Sequence, residues 1–149
     1  MKSIFDPQTR NEVISRVDRL QPGSTPVWGK MTVTQMVRHC TRCEEYYLGN
    51  APVKRSFLGR LIGGMAIKGL LKSDSTVLGK NAPTNPVFRV AEDLQDLDAE
   101  KEKWKSALSS YASYDQPVFY HWFFGNLTRE QLGEFIYKHC DHHLRQFAC

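Results

Sequence analysis

Thr128-Arg129-Glu130-Gln131-Leu132-Gly133-Glu134-Phe135-Ile136-Tyr137-Lys138-His139-Cys140-Asp141-His142-His143-Leu144-Arg145-Gln146-Phe147 is the stretch on which the fold reading turns. Thr128 and Gln131 have the spacing at which a hydroxyl and an amide reciprocally satisfy unpaired backbone donors at a helix start. Behind that cap, at roughly 100° per residue, Leu132, Phe135, Ile136, His139, His143 and Gln146 share one arc about 100° wide. Lys138, Asp141 and Arg145 fall on the wet face, and His142 on the flank. The spacing predicts a helix from about Arg129 to Phe147, with two imidazoles at i and i+4 on its buried side.

The same signals recur upstream. Asp6-Pro7 reads as an N-cap followed by proline at the first helical position, and the helix behind it aligns Val13, Ile14, Val17 and Leu20. Gln21-Pro22-Gly23 ends it. Thr32 and Gln35 form a second capping box, opening a helix striped by Val33, Met36, Cys40, Cys43 and Tyr47, with His39 at the edge of the stripe. Gly49 and Pro52 stop that helix. A third helix is expected from about Lys54 to Leu71, weakened by Gly63-Gly64. A fourth, about Ala91 to Tyr111, carries Leu94, Leu97, Trp104 and Leu108, with Lys101 as the one polar break. Tyr114 to Leu127 reads as a loop containing the aromatic run Phe119 to Phe124. With no strand alternation and no repeat, the expectation is an all-α helical bundle forming one domain over residues 1–149.

Composition bounds the function. The chain has 149 residues, 41% hydrophobic and 24% charged, which excludes a disordered chain, a collagen and a membrane bundle. The net charge of +4 is too small to argue for nucleic acid, so no nucleic-acid partner is expected. It conceals an asymmetry. Residues 54–80 hold six Lys or Arg against Asp74 alone, while six acids between Glu92 and Lys105 face three lysines. The basic stretch reads as a solvated helix face, with contact to an anionic ligand or a membrane surface as the other reading. Opposed charge on these two helices leaves a homodimer open.

The most apolar stretch, Phe57 to Leu71, is too short and too charged to span a bilayer, and the first ten residues lack the apolar core of a secretory signal. The four Cys do not form a disulfide framework. A cytoplasmic protein with free thiols is the expectation.

Imidazoles at i and i+4 on an inward face can reach one metal ion, and His39 on another helix offers a third nitrogen. Three His leave a position open on a divalent metal, the catalytic rather than the structural arrangement. Two core histidines bonded to polar neighbours remain the other reading. Gln35 and Gln146 each stand within a turn of a candidate ligand and are candidates to orient its ring. Cys40 and Cys43 form a CxxC. It admits three readings: a redox pair, a closed zinc site with His139 and His143, or small buried apolar residues. His121 in the aromatic segment is placed to cover the mouth of the site or line a substrate pocket.

Two stretches carry a family resemblance. One runs Trp28-Gly29-Lys30-Met31-Thr32 through Gln35-Met36 to His39. The other runs from His121 through Phe124-Gly125-Asn126-Leu127-Thr128 to Tyr137-Lys138-His139-Cys140-Asp141-His142-His143-Leu144-Arg145-Gln146-Phe147. With Phe5-Asp6-Pro7 they cover nearly the whole chain, which resembles the DinB/YfiT-like superfamily, in particular its branch of small bacterial proteins catalogued as a domain of unknown function. The resemblance implies an up-down-down-up four-helix bundle with an additional short helix or loop segment. It implies a divalent metal, Zn or Ni, held by His39, His139 and His143, with His121 and His142 belonging to the branch's own pattern. It also implies an enzyme similar to the low-molecular-weight-thiol S-transferases, acting on a small-molecule substrate with a thiol as cofactor. A metal-dependent hydrolase and a non-catalytic metal-binding or stress-related protein are the alternatives.

Overall fold

A computed structural model describes residues 1–149. The molecule is mostly helical, with one small two-stranded sheet. The helices are α1 (Pro7–Asp18), α2 (Val33–Tyr47), α3 (Phe57–Leu70), α4 (Leu97–Ser110) and α5 (Arg129–Gln146). Strands β1 (Val118–His121) and β2 (Gly125–Thr128) pair antiparallel between α4 and α5.

The helix starts follow from side-chain caps. Asp6 accepts from the Thr9 amide at 2.7 Å. Thr32 and Gln35 exchange bonds of 3.0 and 3.2 Å, and Thr128 and Gln131 bonds of 3.0 and 3.3 Å, so both predicted capping boxes form. Such caps contribute about 1 kcal/mol each. α2 packs chiefly on α4, α1 packs on α4 and α5, and α2 also meets α5. Val13, Val17, Met36, Val37, Trp104, Leu108, Leu132, Ile136 and Leu144 are sealed between them. Truncating such a side chain to alanine costs roughly 2–5 kcal/mol.

Four expectations are corrected. The segment from Tyr114 to Leu127 is not all loop, because it holds β1 and the first part of β2, so the fold is all-α only coarsely. Phe119 pairs with Leu127 and His121 with Gly125. Phe119 and His121 turn inward while Val118 and Tyr120 stay exposed, a period-two pattern too short to register in the sequence. α4 starts at Leu97 rather than near Ala91, because Asp96 caps it by accepting from the Ala99 amide at 2.9 Å. Gly63, expected only to weaken α3, also docks it. A Cβ at Gly63 would stand 2.1 Å from the Phe123 carbonyl oxygen, and one at Gly59 2.4 Å from it, so only glycine lets α3 seat on the hairpin turn. Lys138 is buried rather than on the wet face. Its Nζ donates to the carbonyls of Ser73, Asp74 and Thr76 at 2.9, 3.3 and 2.6 Å, pinning the segment after α3 to α5.

Lys101, the polar break in the α4 stripe, has a similar explanation. Its Nζ donates to the carbonyls of Asp18 and Leu20 at 2.9 and 3.1 Å, closing the C-terminal end of α1. No helix is long and apolar enough to cross a membrane.

Candidate metal centre

α2 and α5 bring His39, His139 and His143 together. Ring centroids are 5.6 Å apart for His39 and His139, 4.8 Å for His39 and His143, and 4.8 Å for His139 and His143. Imidazoles bound tetrahedrally to one zinc through bonds of about 2.0–2.1 Å hold their centroids roughly 5 Å apart. The centroid separations are of that order. His39 and His143 are buried, and His139 keeps one edge at the surface while its Nδ1 is sealed.

Two of the three tautomers are set by neighbours. His39 Nδ1 donates to the Phe88 carbonyl at 2.9 Å, so Nε2 carries the lone pair and accepts from the Cys43 thiol at 3.8 Å. His143 Nδ1 donates to Gln146 Oε1 at 3.0 Å, leaving its own Nε2 free. Gln146 is held in turn, since its Nε2 donates to the Trp28 carbonyl at 2.8 Å. Outer groups that fix the tautomer in this way are the usual support of a metal-binding imidazole. His139 Nδ1 is buried with no hydrogen-bond partner, an orphan that a well-satisfied core histidine would not leave.

Burial also keeps the rings neutral. It is the first cause of a lowered pKa at His39, at His139 and at His143, the last reaching about 3; each ring is disfavoured further by a neighbouring imidazole or cation. Neutral imidazoles are the ligand form.

Of the two glutamines, only Gln146 orients a ring. Gln35 is committed to the capping box and to the Glu92 carbonyl at 3.3 Å. The backbone explains the Trp28-Gly29 pair: Gly29 has φ +82°, and a Cβ there would stand 2.7 Å from Gln146 Nε2. A side chain at that position would be strained and would push on the glutamine that holds His143.

Cys43, weighed in the sequence only as half of the CxxC, stands here beside His39. Its Sγ stands 3.8 Å from His39 Nε2, and the donor atoms of His39, Cys43 and His139 all lie within 4.8 Å of one another. The i, i+4 step from His39 to Cys43 on α2 was the available signal. His143 lies outside that donor-atom group: ring centroids bring it beside the other two imidazoles, while donor-atom spacing groups Cys43 with them instead. Burial and the adjacent Glu44 push the Cys43 thiol well above its ordinary pKa. Cys40 faces elsewhere, with its Sγ 3.7 Å from Met36 Sδ, so the CxxC does not act as a pair.

The other two histidines are separate from the triad in different ways. His121 is buried on β1. Its Nδ1 accepts from the Phe123 and Phe124 amides at 3.1 and 3.2 Å, so the proton sits on Nε2, which has no partner. Tyr47 and Phe135 each neighbour both the His121 and His139 rings. His142 is half-buried, 5.4 Å from the Trp28 ring and 5.0 Å from His143. Its flank position is as the helical period placed it.

Beneath the site, Glu44 is wholly buried. Tyr111 Oη donates to it at 2.5 Å, Cys140 Sγ at 3.3 Å and Trp104 Nε1 at 3.5 Å. Burial raises its pKa to about 7 despite these donors.

A family model described as a protein of unknown function, DUF1569, matches residues 5–149. No curated protein and no solved structure matches the chain.

Proposed function

The chain belongs to the DUF1569 family, whose description assigns no activity, and from the site itself we propose a metal-dependent enzyme. His39, His139 and His143 hold a divalent ion, zinc or nickel, between α2 and α5. The observation that carries this reading is the proximity of three neutral rings, two with tautomers set so that Nε2 carries the lone pair. In this reading the helices form the up-down-down-up bundle of the DinB/YfiT-like proteins, with α3 as the additional helix.

A bound divalent ion would act as a Lewis acid, lowering the pKa of a water or thiol at its open position. The chain's own residues do the rest. Phe88 and Gln146 hold two rings in register, and buried surroundings strengthen local electrostatics. His121 Nε2–H is a buried donor without a partner, facing the aromatic cluster next to His139. The reaction class is transfer of a low-molecular-weight thiol, with hydrolysis by the same triad as the alternative. Thiol conjugation of electrophiles and ester hydrolysis, each assayed with and without metal, test it; no metal-dependent turnover in either panel rejects the enzyme.

One observation favours a second reading. If Cys43, 3.8 Å from His39 Nε2, joins the three imidazoles, the coordination is closed and the protein binds metal without catalysis. A cobalt-loaded sample separates the two, since a sulfur-to-cobalt absorption band lost in Cys43→Ser supports the closed site.

A further inference from the structure

α3 is apolar on the side it buries and on the side it shows. Gly59, Gly63 and Ile67 face the protein. Phe57, Leu58, Leu61, Ile62 and Met65 are exposed by 77, 54, 65, 39 and 70%, nearly half of the large apolar side chains the whole surface shows. At roughly 100° per residue these five fall in one arc about 140° wide. Helices apolar all round are ordinarily buried, and an exposed cluster of this kind marks a contact surface.

The charges around the arc identify what it contacts. Lys54, Arg60, Lys68 and Lys72 are exposed, and none has a carboxylate partner. Surface pairs form elsewhere, Lys2 with Glu12, Arg42 with Glu92, and Lys105 with Asp18 and Glu102, and the exposed Arg19, Lys30, Lys80 and Arg89 likewise have no carboxylate partner. A second copy is a poor occupant. A two-fold contact would set these cations against themselves. The α4 acids that would complement them are engaged, Asp98 with Lys101, Glu100 with Lys103 and Arg38, and Glu102 with Lys105.

We propose that α3 docks on an anionic lipid surface, its apolar arc entering the headgroup boundary and its unpaired lysines and arginine meeting the lipid charges. Apolar area and electrostatic attraction together are what hold an interfacial helix. Lys68 lies within the arc, where its long stem covers apolar surface while the ammonium reaches the headgroups.

Flotation of the full chain with vesicles tests this, using phosphatidylcholine alone and phosphatidylcholine mixed with phosphatidylglycerol. The expected result is flotation with the anionic vesicles only, weakening as salt is raised. Leu61→Asp with Met65→Asp abolishes it, and Lys68→Glu with Lys72→Glu lowers partitioning by more than about tenfold. All four positions are exposed, so the thermal transition of each variant stays near that of the parent. Failure to float with anionic vesicles overturns the proposal, as does flotation independent of lipid charge or unchanged in Leu61→Asp/Met65→Asp. A solution dimer that this double substitution converts to monomer also overturns it, by making α3 a surface between copies.

Discussion

His143 Nδ1 stands 3.0 Å from Gln146 Oε1, and the other end of the same amide donates to the Trp28 carbonyl at 2.8 Å. One glutamine thereby ties His143 of α5 to the loop before α2. Gly29 is the residue that leaves room for it.

Gln146→Leu fills similar volume but frees the His143 ring. Loss of such an outer partner weakens metal affinity by about 10–100-fold. Gly29→Ala acts in the same direction by displacing Gln146. Competition titration against a chromophoric chelator measures both, and affinities equal to the parent's would show that the His143 tautomer is immaterial.

Cys43→Ser separates open from closed coordination. With three imidazoles as the ligands, zinc affinity stays within about tenfold of the parent, far from the loss expected of a true ligand. A collapse in affinity would transfer Cys43 to the ligand set.

Much of this site was legible in the sequence, and the reason is periodicity. His139 and His143 of α5 share a face because four residues make just over one turn, and no tertiary information is needed to see it. The capping boxes at Thr32 and Thr128 fixed where α2 and α5 begin, hence which way their His point. Partners supplied by backbone were not legible. The Phe88 carbonyl that orients His39 is far along the chain and carries no side-chain signature. The hairpin was hidden because four-residue strands give only two alternations, and Trp122-Phe123-Phe124 blurs them. Lys138 was misplaced because its charge is satisfied by three carbonyls, an arrangement set by how a distant loop folds back.

Glu44 gives stability a pH dependence that one substitution isolates. Its folded pKa, about 7, lies above its ordinary value of 4.5. The folded state therefore binds the proton more tightly, and this group's contribution falls as pH rises from 4.5 to about 7. His121 and His143 act oppositely: their folded pKa values near 3 lie below the ordinary 6.5, so their contribution is lost as pH falls from 6.5 toward 3. Urea midpoints of the parent and Glu44→Gln, measured across this range, should diverge, with the parent losing stability relative to the variant as pH rises. A constant difference would mean that Glu44 does not titrate in the folded protein.

Gly63 and Gly64 are adjacent and should respond in opposite directions. A Cβ at Gly63 meets the Phe123 carbonyl at 2.1 Å, whereas one at Gly64 meets nothing within 4 Å. Gly63→Ala should cost about 1–3 kcal/mol by prising α3 from the hairpin. Gly64→Ala should stabilise by about 0.5–1 kcal/mol through helix propensity. Thermal or urea unfolding compares them, and equal responses would remove the docking role from Gly63.

The most direct measurement is metal content and thermal stability of tag-free protein, parent beside His39→Ala, His139→Ala and His143→Ala. The expected result is about one divalent ion per parent chain, a transition temperature that falls on chelation, and loss of both metal and chelator response in each variant. Full metal content in all three variants, or a parent transition indifferent to chelator, would contradict a metal centre between α2 and α5.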